Sequence, residues 1–112
     1  MRQEIEVRLQ VEGTHRWPGC DIDEVRFLKD EHRHVFFIDC RKEVSHGDRE
    51  IEIVSFKRRV AGFLKGKYSG GDGVCRFGSM SCENIAKELL EEFGLSSCRV
   101  LEDGENGAVV GA

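Results

Sequence analysis

From Glu4 to Glu12 the chain alternates one charged or polar residue with one apolar residue, through Ile5, Val7, Leu9 and Val11. Side chains of a strand point to opposite faces in turn, so this period of two predicts a strand over about 4 to 16 with one wet face. Thr14 to Lys29 contains Trp17-Pro18-Gly19 and three acids, and reads as a turn-rich excursion with a short helical turn around Ile22 to Leu28. Glu31 to Val44 returns to an extended pattern, with Val35, Phe37 and Asp39 on one side and Phe36, Ile38 and Cys40 on the other. This second strand is expected to lie antiparallel to the first.

Beyond the turn Ser45-His46-Gly47-Asp48 the period changes. Ile53, Phe56, Val60, Phe63 and Leu64 form the stripe of an amphipathic helix, whose start is blurred by the alternation of Ile51 and Ile53 with Glu50 and Glu52. Gly66 to Gly78 has five glycines in thirteen positions and no stripe, so it is expected to be a flexible loop. A second helix begins at Ser81, whose hydroxyl can accept from a free N–H of the first turn. It buries Ile85, Ala86, Leu89, Leu90 and Phe93, and ends at Gly94, where a left-handed residue suits the C′ position. Two short strands follow, Cys98 to Asp103 and Gly107 to Val110.

The order is ββααββ. Two helices with one apolar stripe each need a matching apolar surface, which predicts an α+β domain: a four-stranded antiparallel sheet with both helices on one face. At 112 residues, residues 1–112 are expected to be one domain around one core.

Composition narrows the function. Seventeen Lys and Arg against twenty-one Asp and Glu leave a formal charge of −4, so no broad basic field attracts nucleic acid. No apolar run is long enough for a membrane span, and the charged N-terminal residues do not resemble a secretory signal. Five cysteines without CxxC spacing suit reduced thiols, and the cytoplasm is the expected location.

Candidate chemistry concentrates in the histidines. His32-Arg33-His34 on a strand points two imidazoles to one side, about 6 to 7 Å apart along the chain, and Arg33 to the other. An antiparallel partner brings His15, at the end of the first strand, beside them. Three imidazole nitrogens with an open fourth position are the ligand set of a catalytic zinc site. The alternative is a group of surface imidazoles bonded to solvent or to an acid such as Glu31. The turn His46-Gly47-Asp48-Arg49-Glu50 offers a second polar cluster, in which Arg49 can bind a carboxylate or phosphate with Glu50 holding it; the alternative is a solvated turn in which Asp48 caps the helix.

Val11-Glu12-Gly13-Thr14-His15-Arg16, His32-Arg33-His34, Ser81-Cys82-Glu83-Asn84-Ile85-Ala86 and Arg99-Val100-Leu101-Glu102-Asp103 occur in that order over nearly the whole chain. Together they resemble the tunnelling-fold (T-fold) enzymes related to 6-pyruvoyl-tetrahydropterin synthase and 6-carboxy-tetrahydropterin synthase. The second-helix motif resembles that family's T-x-E-N-L-A, and the last its closing V-x-V-x-E-T strand. The resemblance implies zinc on His15, His32 and His34. It implies that Glu102 anchors the guanidine-like edge of a pterin or purine-like base, that activity is lyase or isomerase chemistry, and that subunits assemble into a homo-oligomer with sites at their interfaces.

Two family features are missing. The reactive cysteine before the HxH is replaced by Leu28-Lys29-Asp30-Glu31, and the L-D-H-x-x-L-N stretch by Phe63-Leu64-Lys65-Gly66-Lys67-Tyr68. Cys20 and His46 are the remaining candidates for a proton-moving base. A non-catalytic ligand-binding homologue, and a metal-free α+β interaction protein, are the competing readings.

Overall fold

The computed structural model describes residues 1–112 as an α+β domain of five strands, two α-helices and a short 3-10 helix. Strand β1 spans Gln3–His15, and the 3-10 helix Asp23–Lys29 occupies the excursion where a helical turn is expected. Strand β2 covers His32–Val44, helix α1 Ile53–Tyr68, strand β3 Cys75–Arg76, helix α2 Cys82–Phe93, strand β4 Ser97–Glu102 and strand β5 Asn106–Gly111. No helix is long and apolar enough to cross a membrane.

The sheet has the order β3-β1-β2-β4-β5. The four expected strands pair antiparallel, in the order β1-β2-β4-β5, but β3 adds a fifth, parallel to β1 at Gly13 and Thr14, so the sheet is mixed. The expectation of a purely four-stranded sheet and a free glycine-rich loop is corrected here. The loop is anchored by Cys75 and Phe77, both buried, and by the bonds Phe77 N–H to Thr14 O and Arg16 N–H to Gly78 O, each 2.8 Å. Gly13 permits the approach: a Cβ there would stand 2.8 Å from the Phe77 ring and 2.9 Å from the Cys75 carbonyl. Any side chain at 13 would push β3 off the sheet.

One face of the sheet carries the core. Val7, Leu9 and Val11 of β1, Phe36, Ile38 and Cys40 of β2, and Cys98 and Val100 of β4 are buried against Phe56, Val60 and Leu64 of α1 and Ile85, Ala86 and Leu89 of α2. Each large side chain buried there contributes roughly 1.5–3 kcal/mol. Ile53, the first residue of the predicted α1 stripe, is exposed. Helix α1 is capped not by Asp48 but by Glu52, whose carboxylate accepts from Val54 N–H at 2.8 Å and Ser55 N–H at 2.9 Å. Helix α2 is capped by Ser81, as predicted, and ends on Gly94 at φ 60°. Lys42 of β2 reaches the carbonyls of Phe93 and Gly94, satisfying that helix end from the sheet.

Candidate metal centre

Register places the site. His15 is the cross-strand partner of His32, Gly13 of His34, and Phe36 of Glu102. Since side chains alternate, His15, His32, His34 and Glu102 all leave the sheet on the core face, with the first residues of α2 beside them. The three ring centroids lie 4.6, 5.4 and 5.0 Å apart, with the rings steeply inclined to one another. Phe36, fully buried, floors the group, 5.2 Å from the His15 ring and 5.7 Å from that of His34.

Each imidazole is held by its Nδ1. His15 Nδ1 is 2.9 Å from the Met80 carbonyl, His32 Nδ1 2.8 Å from the Asp30 carbonyl, and His34 Nδ1 2.8 Å from Asp103 Oδ2. A carbonyl accepts and cannot donate, so the first two rings carry their proton on Nδ1; the ionised Asp103 imposes the same tautomer on the third. In the neutral form of the ring, the form that ligates a metal, each Nε2 atom therefore keeps a free lone pair. The Nε2 atoms of His15 and His34 are buried and without any hydrogen-bond partner. One donor atom from each of His15, His32, His34 and Glu102 falls in a set whose members all lie within 4.8 Å of one another. Tetrahedral ligands with bonds of about 2.0–2.1 Å stand roughly 3.4 Å apart, so side-chain shifts of about an ångström bring the four onto one ion. The residues present fit a metal, and the group can bind one.

The Asp103 support was not evident in the sequence. Its backbone lies in the left-handed region at φ 56°, which turns the carboxylate back toward β2, where Oδ1 accepts from Val35 N–H at 3.0 Å while Oδ2 holds His34. These bonds hold its carboxyl below the usual carboxylate range. A non-glycine residue in this conformation stores strain that the two hydrogen bonds offset.

A cleft of about 260 Å³ opens beside the cluster, lined by His15, His32 and Glu102 together with Trp17, Cys82 and Glu83. Cys82 Sγ donates to Glu102 Oε2 at 3.8 Å; burial and the neighbouring carboxylates push its thiol up to about 12, so it is a neutral donor at pH 7. Arg33 points away from the cluster, as predicted, and pairs with Glu12. Glu31, the acid suggested for the imidazoles, is instead bonded by the Thr14 hydroxyl.

The proposed proton movers are not brought together with the histidines. Cys20 is fully buried inside the excursion, its Sγ against the Val25 carbonyl at 3.5 Å. His46 and Arg49 follow the opposite end of β2, twelve residues from His32, a separation of roughly 40 Å along an extended strand. His46 is half-exposed and contacts Glu50 at 3.7 Å, while Arg49 is exposed and pairs with Asp48 at 2.5 Å rather than with Glu50. His46 and Arg49 belong to a solvated turn.

No family model matches the chain, and no curated protein does. Among solved structures, the crystal structure of an uncharacterized protein from Wolinella succinogenes is similar, with a TM-score of 0.66 and 15% identity over 99% of this chain and 98% of that one. At that identity the likeness shows the fold alone.

Proposed function

We propose that the chain is a diverged tunnelling-fold protein that binds zinc on His15, His32 and His34 and takes a pterin-like or purine-like molecule in the adjoining cleft. The observation that carries the reading is the common tautomer: three Nδ1 groups tied to acceptors, with three Nε2 lone pairs left toward one point. Imidazole nitrogen donors suit zinc better than calcium or magnesium, which prefer all-oxygen shells. Bound there, zinc would supply Lewis-acid polarisation of a ligand oxygen. The cleft supports a flat, polar heterocycle. Trp17, half-exposed at its wall, offers a ring face for stacking, while Glu83 and Glu102 offer acceptors for amino and ring N–H donors.

Within one chain neither Cys20 nor His46 belongs to the group of donors, which favours a ligand-binding protein without lyase turnover over an enzyme. Assembly into a homo-oligomer is part of the proposal. The outer edge of β1 is unpaired from Gln3 to Glu12, since β3 covers only Gly13 and Thr14, and the outer edge of β5 is unpaired as well.

Elemental analysis of the purified chain tests the metal. About one zinc per chain, lost in His15→Ala, is the expected result and leads to binding and turnover assays with pterins and deazapurines. Metal-supplied protein that retains none would leave a metal-free α+β interaction domain as the surviving reading.

A further inference from the structure

We infer that Glu102 is the fourth ligand of the ion, so that the resting site is closed by protein and a small molecule reaches the metal by displacing this carboxylate. The inference rests on the metal reading above and changes it in one respect: three histidines alone suggest an open fourth position.

The contact between Glu102 and His15 is the reason. Glu102 Oε2 is 2.8 Å from His15 Nε2, yet that buried nitrogen has no hydrogen-bond partner. The Met80 carbonyl already fixes the ring proton on Nδ1. A carboxylate oxygen and a bare imidazole lone pair at this distance repel unless a cation is shared by both, and with no hydrogen bond in place a metal ion fits that role better than a proton. The other oxygen repeats the arrangement: Oε1 is 3.6 Å from His34 Nε2, which is also buried and unpartnered.

Glu102 has no competing claim on its charge. No Lys or Arg pairs with it, and its one side-chain donor is the weak Cys82 thiol. Its side chain is only 28% exposed. A carboxylate so placed is costly without a counter-charge. Its backbone is fixed from both sides, by pairing with Phe36 at the end of β4 and by the strained, doubly bonded Asp103 that follows.

Displacement links this role to the cleft. Glu102 lines the cleft as well as the cluster, so a carboxylate released from the ion remains beside the incoming molecule and can accept its N–H donors. One residue then holds the metal at rest and the ligand when it is bound.

Cobalt(II) in place of zinc gives a test that does not depend on turnover, since its visible spectrum reports coordination number and ligand type. Wild type, Glu102→Gln, Glu102→Asp and His15→Ala are each titrated with cobalt in competition with a chelator. Glu102→Gln preserves the shape of the side chain, and Glu102→Asp preserves its charge one methylene further back. Both are expected to bind cobalt at least about 10-fold more weakly than wild type, with altered visible bands, and His15→Ala to lose binding further. Wild-type affinity and an unchanged spectrum in both Glu102 variants, with His15→Ala still impaired, would overturn the fourth ligand and leave the three-histidine site intact. A wild-type chain that binds neither cobalt nor zinc would overturn both readings.

Discussion

The two ends of the β1–β2 ribbon carry similar residues and do different things. At one end His15, His32 and His34 meet Glu102 and Asp103; at the other His46 meets Asp48, Arg49 and Glu50. The first group emerges on the core face of paired strands, over the buried ring of Phe36, so backbone register fixes the spacing of its donors. The second lies on a turn, where the side chains pair with near neighbours in sequence. Histidines and acids become a site where strand pairing prevents them from solvating themselves.

That contrast breaks most sharply on metal. The double change His32→Ala with His34→Ala is expected to abolish measurable uptake, at roughly 100-fold to 1,000-fold in affinity per ligand if the ~10–16 kcal/mol of a structural zinc site is shared among four. His46→Ala is expected to leave metal content unchanged. Equal effects at both ends, read by competition with a zinc chelator, would dissolve the distinction.

A smaller effect is expected from Asp103→Ala, which leaves every proposed ligand in place but frees His34 Nδ1 and Val35 N–H. Losing the group that orients a ligating imidazole costs about 10- to 100-fold in metal affinity. Asp103→Asn keeps an acceptor and a residue tolerant of positive φ, so it is expected to recover part of the loss. Identical behaviour of the two variants would mean that His34 is oriented by packing alone.

The smallest effect belongs to the far end. Hydrogen bonds from the Ser45 hydroxyl and N–H hold the Glu50 carboxyl below its usual range. A depressed carboxylate contributes stability above its unfolded pKa of about 4.3, and the contribution disappears as pH falls through the folded value. Because Glu50 is exposed, Glu50→Gln is expected to reduce the acid-side slope of stability only slightly, as read by urea unfolding between pH 3 and pH 6. A large change would show that the turn is held more tightly than its exposure indicates.

Much of the fold is legible locally. The period of two in β1, the stripe of Phe56, Val60 and Leu64, and the cap and stop at Ser81 and Gly94 are short-range signals, because each reflects which face of one element is buried. Strand β3 was not legible: two residues in a glycine-rich stretch have no period, and their pairing depends on the missing Cβ of Gly13, 62 residues before Cys75. Glu52, not the expected Asp48, caps α1, because the helix begins at Ile53; two overlapping periods hide that start in the sequence.

The site divides in the same way. By itself the sequence determined that three histidines belong to two neighbouring strands and, by alternation, that His32 and His34 share a face, since these follow from chain geometry alone. Only the tertiary structure decided that Glu102 faces the same point, that Met80, Asp30 and Asp103 set the three tautomers, and that His46, Arg49 and Cys20 lie elsewhere. Each of those facts joins segments that are distant in sequence or turns on where a carbonyl points, and such contacts exist only once sheet register and helix packing have brought the segments together.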